Sequence, residues 1–207
     1  MKFIPILSLA ILMLFSCKKG AGTFTLKGKI SDLTFNSGLD SAELKLYKVP
    51  VGSPTEILIE TITLGADGSY SFEFPRERME KYILRVTKNS YFTIDETIYY
   101  SDLSIENENV RNYVTTAKSW VELRFLNTNP LANDQFRYTK QEGYQGCAEC
   151  CPSTEQIYFG ALDTSIYCIN KGNTIYSIYY NVIGTNNQGI KQVTTVPFDT
   201  TQIYFSY

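Results

Sequence analysis

The residues best suited to chemistry are Cys147, Cys150, Cys151 and Cys168. Three chemistries are open to such a cluster. Oxidised, four cysteines form two disulfides in any of three connectivities. A bridge such as Cys151 to Cys168 would close a loop of about 17 residues, worth roughly 3 kcal/mol in the chain-entropy account. Reduced, four thiolates could hold zinc, and Cys147-Ala148-Glu149-Cys150 has the CxxC spacing. The same CxxC could be a redox centre, but that needs a helix start in a thioredoxin-like setting, and the flanking sequence supplies neither.

The chain has no histidine. This removes Ser-His-Asp and Cys-His mechanisms and every zinc site with a histidine ligand. No G-x-S-x-G, no phosphate-cradling Gly-Lys-Ser/Thr loop and no G-x-G-x-x-G is present. A pair of carboxylates needs no histidine, so a small carboxylate-dependent hydrolase stays open as the alternative to a binding role. No cofactor is expected. Glu106 to Asn109 has consecutive oxygens, but a calcium site needs convergent ones, so a solvated loop is expected there and no metal.

Cys17 stands apart from the other cysteines. Lys2 supplies a positive start, Phe3 to Phe15 is nearly all apolar, and Leu14-Phe15-Ser16-Cys17 follows. The run is too short for a spanning helix, which needs roughly 20 residues, and fits a secretory signal. The four residues resemble the lipobox of bacterial lipoproteins, with phenylalanine at a position more often small. The resemblance implies cleavage before Cys17 and acylation of its thiol. Each buried methylene contributes roughly 0.8 kcal/mol, so two or three acyl chains hold where one does not. Export in turn favours disulfides for the other four cysteines. Lys18 and Lys19 follow, with no acid until Asp32, so the final leaflet stays open. The mature chain would carry 18 basic and 21 acidic residues, a balance of −3. That argues against nucleic-acid binding, which needs a concentrated basic face.

The elements that must position these groups read as strands. Tyr (16) and Phe (12) are abundant, a strand composition, and no sustained 3.6-residue stripe follows the signal. Phe24, Leu26 and Ile30 alternate with polar residues, as do Ala42, Leu44 and Leu46, then Tyr70, Phe72 and Phe74, then Tyr82, Leu84 and Val86. Glu56 to Thr63, Tyr91 to Tyr100 and Val110 to Thr116 read as further strands, and Arg76 to Glu80 as a helical turn. Asp67-Gly68 marks a tight turn. Leu26-Lys27-Gly28-Lys29-Ile30, Ala42 to Tyr47, Asp67-Gly68-Ser69-Tyr70-Ser71-Phe72 and Tyr82 to Val86 together resemble the carboxypeptidase regulatory-like, or transthyretin-like, sandwich over roughly residues 24 to 90. That resemblance implies a non-catalytic spacer or adhesion module with no active site.

Alternation restarts at Val121, Leu123 and Phe125, after a linker near Thr116 to Ser119. Gln156 to Leu162, Ser165 to Asn170, Tyr176 to Val182, Ile190 to Val196 and Ile203 to Tyr207 complete a second strand set. Trp120 is out of phase with Val121, so it points away from that core. It either packs at the domain junction, the commoner fate, or stacks on a sugar ring. Tyr179, in a tyrosine-rich strand, shares the ambiguity, and Trp120 and Tyr179 are the candidate ligand platform. Asp40-Ser41-Ala42 and Asp199-Thr200-Thr201 resemble a short bacterial O-glycosylation pattern, against the plainer reading of turn residues.

The expected protein is all-β: two tandem β-sandwich domains, immunoglobulin-like or transthyretin-like, after a lipoprotein signal peptide. Its parts are a signal at 1–16, a lipidated tether at 17–21, a first sandwich at 22–117 and a second at 118–207. The expected role is non-enzymatic and binding or structural, in the cell envelope and held to the outer membrane by lipid. Accessory transport, adhesion and glycan capture all fit, with an envelope protein or a glycan as partner. An exposed aromatic platform would favour a glycan, a flat apolar patch a protein, and two facing carboxyls an enzyme.

Overall fold

The computed structural model describes residues 22–207. The signal, Cys17 and the tether lie outside the described residues. The described chain is built of strands, with one 3₁₀ turn at Tyr100–Asp102.

The first sandwich comprises β1 (Thr23–Asp32), β2 (Ser37–Gly38), β3 (Glu43–Pro50), β4 (Ile57–Thr63), β5 (Ser69–Pro75), β6 (Met79–Thr87), β7 (Ile94–Tyr99), β8 (Asn109–Val110) and β9 (Tyr113–Thr115). One sheet has β1 at its centre, with β2 and β5 antiparallel to it and β8 and β9 parallel to it. The other has the order β4-β3-β6-β7, antiparallel throughout. The alternating apolar residues of β1, β3, β5 and β6 meet between them, burying Phe24, Leu26, Leu44, Phe72, Phe74, Tyr82 and Leu84 in one cluster.

Two glycines make this packing feasible. A Cβ at Gly28 would sit 1.7 Å from the Arg111 carbonyl oxygen, which also accepts the Tyr70 hydroxyl at 2.8 Å. At Gly68 φ is +72°, and a Cβ there would meet the Ile30 carbonyl oxygen at 2.1 Å; this is the Asp67-Gly68 turn, where a left-handed residue is required.

Several strands differ from the sequence reading. Arg76 to Glu80 is not a helical turn: three residues link β5 to β6, and β6 is already paired at Met79. Val110 to Thr116 is not one strand. It divides around Arg111 and Asn112, and the Asn112 side chain accepts the Lys29 amide at 2.9 Å in place of a ladder bond. β7 starts at Ile94 because Ser90 (φ +60°) turns the chain before it.

The second sandwich comprises β10 (Lys118–Leu126), β11 (Gln135–Glu142), β12 (Gln156–Phe159), β13 (Asp163–Lys171), β14 (Ile175–Val182), β15 (Gln188–Thr194) and β16 (Thr200–Ser206). Its sheets are β13-β10-β16, with β10 and β16 parallel, and β12-β11-β14-β15. Aromatics fill the space between them. The Phe125 ring lies 5.3 Å from those of Phe136 and Phe205 and 5.4 Å from that of Tyr138. β12 stops at Phe159 because Gly160 (φ +64°) turns the chain.

The two sandwiches meet through backbone and rings. The Lys118 amide donates to Ser90 and the Gly172 amide to Ala117, at 2.7 and 2.9 Å. The Phe198 ring stacks on Phe35 at 5.9 Å and contacts Tyr91 at 5.4 Å. Tyr91 in turn donates its hydroxyl to the buried Asp32 carboxylate at 2.7 Å.

Candidate functional site

In β10, Ser119, Val121, Leu123 and Phe125 are buried. Period-two geometry therefore sends Trp120, Glu122, Arg124 and Leu126 to the outer face. The register on either side completes that face. Ile169 and Thr200 flank Trp120, Tyr167 and Gln202 flank Glu122, and Ser165 and Tyr204 flank Arg124. Glu122 is held at the centre. One carboxylate oxygen accepts the Ser165 hydroxyl at 2.6 Å and the Tyr167 hydroxyl at 3.3 Å, and the other accepts the Gln202 amide at 2.9 Å. The Ser165 hydroxyl, then the Gln202 amide, hold this carboxyl below the usual glutamate range. Tyr167 is 59% exposed and Tyr204 42%, while Trp120 is half-buried. Arg124 donates to the Phe125 and Thr164 carbonyls and ion-pairs with Asp163.

This arrangement can accept hydrogen bonds from hydroxyls at a fixed anion and stack apolar ring faces on its aromatics. It lacks the layout of a two-carboxylate hydrolase. Asp163, the other strand carboxylate of the face, lies opposite Leu126, four residues from Glu122 and so about 13 Å along the strand. Such pairs stand roughly 5–9.5 Å apart, and Asp163 is already bound to Arg124.

Trp120 and Tyr179 are not brought together. Tyr179 is on β14, on the outer face of the other sheet, with the exposed Ile157, Phe159 and Ile190. Tyr176, on the same strand, is in the core. The aromatic contacts of the junction belong to Phe35, Tyr91, Phe198, Phe92 and Tyr144, and Trp120 makes none of them. Sequence reasoning placed Trp120 outside the core phase but missed Glu122 and its partners. The alternation at Val121 to Phe125 already puts Glu122 beside Trp120. Tyr167, Gln202 and Tyr204 join them only through the register of β13 and β16.

The cysteines form two disulfides, Cys147–Cys150 and Cys151–Cys168. Sulfurs so bonded cannot serve as zinc thiolates. Among the described residues no cluster of acidic, cysteine or histidine side chains is arranged for a metal. In the Glu106–Asn109 loop, Asn109 binds Thr25 and Ser104, and Glu108 pairs with Lys27. The cysteine loop lies along the edge of β13: the Ile169 amide donates to Glu149 and the Tyr144 amide to the buried Asn170 side chain. From β11, the buried Lys140 donates to the carbonyls of Tyr144, Cys150 and Cys151 at 2.7–2.9 Å. Burial pushes its ammonium below the usual lysine range. An edge strand left bare would offer its backbone to another chain; this loop covers it. Ser41 and Thr200, of the two Asp-Ser/Thr patterns, are exposed residues.

No protein-family model matches the chain, and no curated protein matches it. Among solved structures, it is similar to the Bacillus anthracis TIE protein (14% identity, TM-score 0.37, covering 89% of this chain and 34% of that one). It is also similar to a streptococcal ancillary pilin (12%, 0.34, 89% and 62%). A third is the shaft pilin SpaA from Lactobacillus rhamnosus GG (11%, 0.37, 90% and 97%). The chain thus spans about a third of the first of these proteins and less than two thirds of the second. At these TM-scores the likeness carries no functional argument, and the sandwich assignment stands on the sheets described above.

Proposed function

We propose that this chain is a lipid-anchored envelope protein that captures glycans on the outer face of β13-β10-β16. The observation that carries the reading is Glu122, a carboxylate fixed by three side-chain donors between exposed tyrosines and Trp120. Sugars offer hydroxyls to such an acceptor and C–H faces to such rings. The lipobox-like segment ending at Cys17 and the two disulfides support an oxidising, exported setting. Among the described residues no helix is long and apolar enough to cross a membrane; anchoring would rest on acylated Cys17. The first sandwich, with its regulatory-like resemblance, serves in this reading as a spacer between membrane and binding face.

Binding is tested by affinity electrophoresis of the mature chain in gels holding laminarin, dextran or solubilised peptidoglycan. Retardation by at least one glycan, lost in Tyr167→Ala and Glu122→Gln with unchanged melting, is the expected result. Equal mobility in every gel would remove the glycan reading. Alkyne-tagged fatty acid should label the wild type and not Cys17→Ala; equal label in both would remove the anchor.

A further inference from the structure

On one side of the first sandwich, two sheet edges lie open. β7 is hydrogen-bonded to β6 alone and β9 to β1 alone among the described strands. At the domain junction these edges are drawn together. Tyr91 bridges Ala117, the Phe92 amide donates to Thr116 at 3.2 Å, and the Thr115 hydroxyl donates to the Phe92 carbonyl at 2.6 Å. Beyond that point a groove of about 580 Å³ runs between residues 93–96 and 112–116. The second sandwich caps its closed end, with the Tyr144 ring 4.6 Å from Phe92 and the Lys171 ammonium 5.0 Å from the Tyr144 ring.

The groove carries two unmatched charges. Lys171 has no carboxylate partner and Glu96 no cationic one among the described residues. Glu96 shares the parity of the buried Ile94 and Ile98, so its side chain points into the seam. Burial, then the charge of Glu96, raise the pKa of the nearby Tyr113.

We propose that this groove docks the carboxyl-terminal end of an extended peptide, the terminal carboxylate at Lys171 and a basic side chain at Glu96. Open edges supply backbone donors and acceptors to an added strand. A groove closed at one end takes a chain end, and an unmatched ammonium there selects a carboxylate over an amine. Phe92, beside Tyr144 and Lys171, and Glu96 are four residues apart, at most about 13 Å when the chain is extended. The basic residue therefore stands about four positions before the carboxylate. Val114 (55% exposed) and Leu33 (53%) offer apolar contact along the rim. The inference does not depend on the glycan reading.

The probe is a peptide of sequence Lys-Thr-Val-Thr-Val, fluorescein-labelled at its amino end, with either a free or an amidated carboxyl terminus. Anisotropy with the mature chain should give a Kd about tenfold lower for the free acid, the effect of one charge-assisted contact. Lys171→Gln should abolish that difference, and Glu96→Gln should weaken both peptides. Amide exchange should slow along Ile94–Tyr99 when the acid form is bound. Equal affinity of the two forms, or no binding to folded protein at millimolar peptide, would overturn the proposal. So would Glu96→Gln leaving peptide affinity unchanged while promoting self-association: Glu96 would then be an inward charge that guards an edge.

Discussion

Removal of the two disulfides should separate their contributions. Cys151–Cys168 joins residues 17 apart and Cys147–Cys150 residues 3 apart. The loop-closure relation gives about 3 kcal/mol for the first and about 1.6 kcal/mol for the second. Cys168 is fully buried in the second core, so alanine there keeps an apolar side chain and adds no hydroxyl to be satisfied. Trp120 is the chain's one tryptophan and lies on β10, so its fluorescence reports on the second sandwich alone. For a domain of this size each kcal/mol moves the midpoint by about 4–8 °C. Cys151→Ala/Cys168→Ala should therefore lower the tryptophan-detected Tm by about 12–24 °C and Cys147→Ala/Cys150→Ala by about half as much. The reduced wild type should fall at least as far as the first pair. Equal shifts, or a larger one for Cys147/Cys150, would refute the assignment of the longer bridge as the main staple. The Lys140–carbonyl contacts would then be the principal clamp on this loop.

Gly28→Ala places a Cβ against the Arg111 carbonyl and should cost about 1–3 kcal/mol by overpacking. Circular dichroism should show the loss in the first sandwich while the tryptophan-detected melt stays in place. Burial raises the hydroxyl pKa of Tyr70, Tyr91, Tyr138 and Tyr176, and pushes Tyr82 up to about 12. The unfolded chain loses these protons near pH 10 and the native chain later, so stability is intact below pH 10 and falls as pH rises above it. Phenolate absorbance against pH should show a late group of tyrosines released together with unfolding; a single titration near pH 10 in the folded protein would contradict this. Phe198→Ala removes the ring shared by Phe35 and Tyr91. The calorimetric transitions of the two sandwiches should then move further apart, with a loss of about 1 kcal/mol beyond area burial.

Period-two alternation was enough to place the core. Phe24, Leu26, Leu44, Phe72, Phe74, Val121, Leu123 and Phe125 are all buried as their spacing implies, because which side of a strand a residue occupies is a local property of the backbone. The same local rule put Trp120 outside. It could not tell what lies beside Trp120, since Tyr167, Gln202 and Tyr204 reach Glu122 through pairings between strands distant in sequence. Nor could it divide Val110 to Thr116 into two short strands, which depends on how closely Arg111 approaches Gly28. The cysteine content in an exported chain pointed to disulfides, but connectivity depends on which sulfurs the fold brings within bonding distance, and here the edge of β13 brings Cys168 to Cys151. Open edges are likewise a property of the assembled sheets. β7 and β9 read in sequence like any other strand, and become a groove only because no other described strand closes them and the second sandwich stands at one end.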